Sequence, residues 1–561
     1  MTGSDILLKS LQQEGVDVVF GYPGGQIIGT YDRLYDYDIK HVLPRHEQGA
    51  VHAAEGYARV TGKPGVCIAT SGPGATNLVT GIADAYMDSI PLVIITGQVA
   101  SHLIGSDAFQ EADIVGITRP IVKHSYLIKD VKDIAPAVKE AFHIAKSGRP
   151  GPVLIDMPKD IQAAKGSFDY PTTIDLQGYQ PSYEGHPMQI KKVLHALSEA
   201  KRPLMLVGGG VRLGNASQEL LKFAEATGIP VSMTFMGQGA FPSGNPLYVG
   251  WMGMHGNYAS NQASINADYI LAIGTRFSDR TTGNFGMFAP NATIAQIDVD
   301  PTSIGKNIAV KTPIVGDVKS VLGQFLKYIK EYKRDKHAED RAKWLADIAK
   351  WDKEHPFSYE NSNKVIKPQY VIESIYNITK GDAVITTEVG QHQFFAGQFY
   401  KFKRPEQFIS SGGLGTMGFG LPAAVGAKIG APDRDVFDIS GDGSFMMNVQ
   451  ELATAVQYRL GIKVAILNNQ FLGMVRQWQQ LFFDKRYSYT CMEVQPDFVK
   501  LAEAFGCVGL RAETPAEVMP VLIEAMKVKD RPVVMDFRCV REENVFPIVP
   551  PGMGLDKMIF K

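Results

Sequence analysis

Short runs of apolar, β-branched residues alternate along the chain with stretches in which apolar positions recur every three or four residues. DVVFGYPGG, GVCIATSGPG, PLVIITGQ and PVLIDMP are four such runs near the start, each closed by Gly or Pro or followed by a polar stop. An unbroken apolar run is what a strand buried on both faces requires, and the helical periodicity between runs supplies the covering layers. The rhythm therefore predicts a parallel sheet with helices on both faces. It resumes at Lys201 with PLMLVGGGV, runs through YILAIGTRF and ATIAQIDVD to about Tyr328, and starts a third time near Pro368. The fold class expected is α/β, with three doubly wound parallel-sheet domains over residues 1–165, 188–328 and 366–545 and a C-terminal tail over 546–561.

Two connecting stretches break the rhythm. GSFDYPTTIDLQGYQPSYEGHP has Pro, Gly and Tyr without periodicity and reads as a surface linker. Residues 327–354 are dense in mixed charge and read as a solvated helix leading into a connector. There is also an echo. Domain one closes on RPGPVLID (149–156) and domain three on RPVVMD (531–536), as two domains of one fold would.

Composition narrows the class. With 45% hydrophobic and 20% charged residues, the 561-residue chain has ample core, which excludes a disordered, coiled-coil or collagenous protein. Lys plus Arg number 57 against 58 Asp plus Glu, so no overall field attracts nucleic acid. Cys67, Cys491, Cys507 and Cys539 form no Cys-x-x-Cys motif, which argues against zinc or a disulfide framework and for a reducing compartment. The opening MTGSDILLKSLQQEGV has no signal-peptide pattern, no window reads as a membrane span, and a cytoplasmic location is expected.

The chemistry is clearest in VFDISGDGSFMMNVQELATAVQYRLGIKVAILNNQFLGMV, which reads as strand, tight turn, helix, strand, Asn pair. Gly441-Asp442-Gly443 closes the first strand, and 24 residues separate Gly443 from Asn468-Asn469 at the end of the next. A right-handed crossover brings both carboxyl ends to one sheet edge. There Asp442 offers a carboxylate and Asn469 a neutral oxygen, a sparse hard-donor set suited to Mg²⁺ shared with a diphosphate. The glycines allow backbone N–H groups to approach phosphate. The spacing resembles the thiamine-diphosphate motif, which implies that the main-chain carbonyl of Phe471 completes the protein ligands. Such chemistry also needs a carboxyl group against the cofactor's pyrimidine nitrogen. In VLPRHEQGAVHAAEGYARVTG, Glu47 and Glu55 are both candidates, and chemistry alone does not choose between them.

Together FGYPGGQI, RHEQGA, TSGPGATN, GSDAFQEADIVGITRPIVKHS, RPGPVLIDMPKD, GMHG, SSGGLGTMGFGLPAA, GDGSFMMNVQELATA and GMVRQWQ resemble the catalytic subunit of the acetohydroxyacid (acetolactate) synthase family over nearly the whole chain. The resemblance implies decarboxylation of pyruvate on thiamine diphosphate and ligation of the two-carbon unit to a second 2-ketoacid, pyruvate or 2-ketobutyrate, in branched-chain amino-acid biosynthesis. It assigns the pyrimidine acid to Glu47, places Gln110 and Lys159 in the substrate channel with Phe109 packed beside them, and makes Arg280 a clamp for the second substrate's carboxylate. This chain reads RFSDRTTG where the family usually has RFDDRVTG, and Arg280 is retained. Trp478 would meet the second ketoacid's alkyl group, and Met417 would hold the cofactor bent. Val389, Gly390, Gln391, His392, Gly415, Ser444, Gly473 and Met474 match diphosphate and ring contacts.

The family likeness further implies FAD in the central domain, through Gly208, Gly209, Gly210, Met254, His255, Gly274, Thr275, Arg276, Asp298 and Asp317, with Arg149 from domain one. Because the net reaction is not a redox reaction, that flavin would be structural or vestigial. The resemblance also implies a homodimer or homotetramer in which Glu47 of one subunit faces the 441–469 region of another, and leaves open a small regulatory subunit. Three alternatives stand: an FAD-dependent pyruvate oxidase, a flavin-free catabolic acetolactate synthase, and a non-catalytic cofactor-binding regulator.

Overall fold

The apolar runs become strands that are buried along their length, in a computed structural model that describes all 561 residues. The first sheet holds β1 (Val18–Tyr22), β2 (Lys40–Val42), β3 (Gly65–Ala69), β4 (Leu92–Gln98), β5 (His124–Leu127) and β6 (Pro152–Pro158) in the order β2-β1-β3-β4-β6-β5. Every residue of β3, β4 and β6 is buried, which is why no polar alternation marks them in the sequence.

The second sheet holds β7 (Pro203–Val207), β8 (Val231–Met233), β9 (Tyr248–Trp251), β10 (Tyr269–Ile273), β11 (Thr293–Asp298) and β12 (Thr312–Val315), ordered β12-β11-β10-β7-β8-β9. The chain winds outward from β7 to β9, then crosses back to β10 on β7's other side. This is the dinucleotide-binding order, with its switch point between β7 and β10.

The third sheet holds β13 (Val384–Thr387), β14 (Phe408–Ile409), β15 (Val436–Gly441), β16 (Lys463–Asn468), β17 (Val508–Ala512) and β18 (Val533–Arg538), ordered β14-β13-β15-β16-β18-β17. Strand for strand this repeats the first sheet. The two RP…D stretches lead into β6 and β18, which hold the same place in their rows, so the sequence echo reflects a shared topology.

The chain divides into two compact units. The first comprises Met1–Tyr179, Ala383–His392 and Ile409–Arg541, and so contains most of the first and third sheets. Within it, the helix Glu47–Thr61 lies against the helix Gly420–Gly430 with backbones nearly touching. A Cβ on Gly56 would sit 2.1 Å from the Ala423 carbonyl oxygen, and one on Gly426 only 1.7 Å from that of Ala53. Only glycine permits that approach, and the buried alanines around it extend one apolar core through both domains.

The second unit comprises Gln180–Asp382, Gln393–Phe408 and Glu542–Lys561. Here the mixed-charge stretch forms the expected helix, exposed along most of its length, but it is also anchored by buried side chains. The helix Ala338–Glu354 buries Trp344 and Ile348, and Arg341 donates to the carbonyls of Leu197, Ser198 and Ala200. Apolar anchors spaced four apart were masked in the sequence by the charges between them. No helix is long and apolar enough to cross a membrane.

Candidate functional site

Crossover connections return every parallel strand to the same starting edge, so ligand sites open at the carboxyl edge where successive connections diverge. In the third sheet that place lies between β13 and β15. Val389, Gly390, Gln391 and His392 follow β13. Gly441 ends β15, and Asp442, Gly443 and Ser444 open the next helical turn. Asn469 and Phe471 follow β16, and Gly473 and Met474 start the helix Gly473–Phe482. The tight spacing of these segments is set by His392, whose imidazole fills the room a side chain at position 441 would need. A Cβ on Gly441 would meet its Nδ1 at 2.7 Å. Burial pushes His392 down to about 3, so the ring is neutral, with its Nε2 3.5 Å from the Ser444 hydroxyl.

Asp442 is 1% exposed, and burial lifts its carboxyl to about 6. The Gln495 side-chain amide donates to it, while the oxygen of that same amide is buried with no hydrogen-bond partner. A buried carboxylate beside an unpaired amide oxygen is a costly arrangement that a hard cation relieves. Asn469 is half-buried, and its Oδ1 accepts from the Phe471 N–H at 3.1 Å. Residues 470 and 472 are clipped to 492 and 490 by the bonds Met492 N–H to Gln470 O (2.8 Å) and Leu472 N–H to Thr490 O (2.9 Å). Phe471 lies between those bonds, opposite Cys491, so its own carbonyl is turned away from the clip. The Asn pair splits: Asn468 is buried and donates to Asp536 at 2.9 Å, leaving Asn469 at the edge. Gln495 went unseen in the sequence, because it lies 53 residues beyond Asp442 in a segment with no motif. The same holds for Glu388, buried beside Val389 and accepting from the Gly418 and Leu421 N–H groups.

In the first sheet, Glu47 begins the helix that follows β2 and is half-buried, with its Oε2 accepting from Asn77 Nδ2 at 2.9 Å. Glu55 is fully buried two turns on, 2.9 Å from His52 and 3.4 Å from Arg59, and burial pushes it up to about 8. The structure thus separates the two acids: Glu55 is spent inside the domain, and Glu47 stands at its edge. Gln110 has a φ of 62° and rests against Gly72 just beyond β3. Phe109 is 84% exposed. Lys159 is exposed at the start of the short helix after β6. Trp478 is half-buried, edge-on to Phe482 at 6.3 Å. Gly415 is exposed and Met417 half-buried in the irregular segment after β14. Arg149 donates from Nε to the Ser89 hydroxyl at 2.8 Å.

In the second unit, Gly208, Gly209 and Gly210 follow β7 while Gly274, Thr275 and Arg276 follow β10, flanking the switch point of the dinucleotide-binding sheet. Asp298 ends β11 and accepts from the Asp300 N–H at 2.9 Å; Asp317 caps the helix Val318–Lys327 through the Ser320 N–H. Met254 and His255 lie beyond β9, with His255 buried, held neutral by burial and 3.3 Å from the Pro547 carbonyl. Arg280 lines a cavity of about 350 Å³ with Met254, Asn284, Phe285, Val549 and Pro550.

Three family descriptions match the chain in succession: the thiamine pyrophosphate enzyme N-terminal TPP binding domain over residues 1–117, the central domain over 190–325, and the C-terminal TPP binding domain over 388–537. The chain is 48% identical over 562 residues to the acetolactate synthase large subunit of Haemophilus influenzae, covering 100% of this chain and 98% of that protein. It is 48% identical over 563 residues to the acetolactate synthase isozyme 3 large subunit of Escherichia coli (strain K12), with the same coverage of each. It is 49% identical over 558 residues to the large subunit of Corynebacterium glutamicum, spanning 98% of this chain and 89% of that one. Near one-half identity over the full length, on three sheets in this order, shows that the chain belongs to the acetolactate synthase large-subunit family of thiamine pyrophosphate enzymes.

Proposed function

We propose that this chain is the catalytic subunit of a biosynthetic acetolactate synthase, which decarboxylates pyruvate and joins the two-carbon unit to pyruvate or 2-ketobutyrate. The observation that carries this reading is the convergence of Asp442, Asn469 and the Phe471 main chain at the carboxyl edge of the third sheet, just beyond the paired ends of β15 and β16. When bound, thiamine diphosphate supplies the carbon nucleophile and the electron sink for decarboxylation. The side chains of Asp442 and Asn469 and the carbonyl of Phe471 would hold Mg²⁺, a set whose fit is supported by the buried carboxyl of Asp442 and the unpaired buried amide oxygen of Gln495 beside it. Val389, Gly390, Gln391, His392, Gly441, Gly443, Ser444, Gly473 and Met474 would receive the diphosphate, with Gly415 and Met417 supporting the rings. Glu47 holds a proton against the pyrimidine nitrogen, a position for which its place at the open edge suits it better than Glu55.

Gln110, Lys159 and Phe109 are proposed to line the approach, Arg280 to bind a ketoacid carboxylate, and Trp478 to contact an alkyl group. FAD is proposed for the central domain, where the glycines after β7 and the Gly274–Arg276 stretch after β10 support a dinucleotide. Arg149 and the remaining central-domain residues Met254, His255, Asp298 and Asp317 are its other proposed contacts. A homodimer or homotetramer, with Glu47 facing the 441–469 region of another subunit, and a small regulatory subunit complete the proposal. Four cysteines without a disulfide among them suit a cytoplasmic setting.

Product analysis tests this reading. Purified protein supplied with thiamine diphosphate, Mg²⁺ and FAD should form 2-acetolactate from pyruvate alone, and 2-aceto-2-hydroxybutyrate when 2-ketobutyrate is added. Oxygen uptake with pyruvate and no acetolactate would establish a pyruvate oxidase instead.

A further inference from the structure

Beyond Glu47, the helix Glu47–Thr61 and the helix Val79–Asp88 together carry a second group of acids and a base that the proposed chemistry leaves unused. Glu55 and Asp84 are fully buried, and Arg59 and Asp88 have side chains only 5% and 3% exposed. His52, Glu55 and Asp84 lie close enough together to hold a metal ion. The Arg59 guanidinium already serves as their cation, 3.0 Å from Asp88, 3.4 Å from Glu55 and 3.8 Å from Asp84.

The outward bonds of Arg59, Asp84 and Asp88 run to one segment. Asp84 Oδ1 accepts from the Ser411 hydroxyl and, at 2.9 Å, from the Thr416 hydroxyl. Asp88 accepts from the Gly412 N–H at 2.9 Å and the Gly413 N–H at 2.7 Å. Arg59 donates to the Ser410 carbonyl at 2.9 Å. The Ser411 hydroxyl then accepts from the Gly415 and Thr416 N–H groups, at 3.0 and 2.9 Å, closing the segment on itself. Residues 410–416 have no helix or strand of their own, so their path depends on these anchors. The Asp84 bonds to Ser411 and Thr416 are buried, where hydrogen bonds are stronger than in water.

We propose that Asp84 and Asp88, held in place by Arg59, are positioning residues that fix the 410–418 segment so that Met417 stands ready to support the cofactor, a role that rests on the part given to Met417 above. They touch neither cofactor nor substrate in this scheme. They act through the loop.

Hydrogen–deuterium exchange on the full-length protein tests the anchoring, and calorimetric titration with thiamine diphosphate in the presence of Mg²⁺ tests its consequence. Thr416→Val leaves the acid cluster intact, and Asp88→Ala removes the anchor of two amides. Each should speed exchange over 411–416 by about tenfold and weaken cofactor binding by about tenfold, with Thr416→Ser restoring both. Unchanged exchange, or faster exchange with wild-type cofactor affinity, would overturn the proposal. Met417→Ala in the same titration separates the two possible failures. Wild-type affinity there removes the role given to Met417. Weakened affinity there, with wild-type affinity in Thr416→Val, removes the anchoring role alone.

Discussion

Asn468 donates its side-chain amide to Asp536 at 2.9 Å across the β16–β18 pairing. Gln98 makes the same bond to Asp156 at 3.0 Å across β4–β6. Each donor is the last residue of its strand, and each acid faces the residue two positions before it, Ile466 or Thr96. The repeated topology thus extends to a repeated polar contact, a buried acid tied to the neighbouring strand at the carboxyl edge.

That contact predicts different fates for the two asparagines. Asn468→Asp sets a second carboxylate against buried Asp536 and should cost about 3 kcal/mol, read as a lower urea midpoint of the cofactor-free protein. Asn469→Ala should leave that midpoint near wild type while abolishing Mg²⁺-dependent binding of thiamine diphosphate in calorimetry. Equal destabilisation by both changes would contradict the division.

Glu47→Gln keeps a side chain of the same shape and should still bind the cofactor. It removes the transferable proton, so acetolactate formation should fall by roughly 10² to 10⁴ in a product assay. Full activity would remove Glu47 from the proposed role.

The buried acid on the same helix predicts a pH effect on stability. Glu55 has an ordinary value of 4.5 and is pushed by burial up to about 8. The folded chain therefore keeps a proton that the unfolded chain releases, and the stability linked to it is full below pH 4.5 and lost as pH rises to about 8. Glu55→Gln has no such proton, so its denaturation midpoint should fall less than wild type's between those pH values. Parallel profiles for the two proteins would refute this.

Trp478→Leu should erode preference for 2-ketobutyrate over pyruvate by about tenfold, since a pocket's hold on one methylene is worth roughly 1–3 kcal/mol. Competition between the two ketoacids, read as the product ratio, checks this; an unchanged ratio would exclude Trp478 from contact with the alkyl group.

Much of this was legible in the sequence because doubly wound sheets leave a local record. Strands buried on both faces must be mostly apolar, as β3, β4 and β6 are apart from the paired Thr96, Gln98 and Asp156, and their carboxyl ends must be turns. Gly441, Asp442 and Asn469 could be placed at one edge from strand order alone, because right-handed crossovers fix which ends meet. The helix Ala338–Glu354 shows the limit: its charge hid buried Trp344 and Ile348, whose burial depends on partners more than 100 residues away, as in the bond from Trp344 to the Pro203 carbonyl.

The sequence by itself therefore determined three sheets, their edges and the residue types gathered there, since periodicity and turn chemistry act over a few neighbours. Tertiary structure decided the roles of like residues that are close in sequence. It turned Asn468 into the sheet and left Asn469 at the edge, buried Glu55 and kept Glu47 half-open, and set Gln495 on Asp442 from 53 residues away. The reason is physical: the cost of burying a charge or an amide depends on what surrounds it in space, and that surrounding comes from distant parts of the chain.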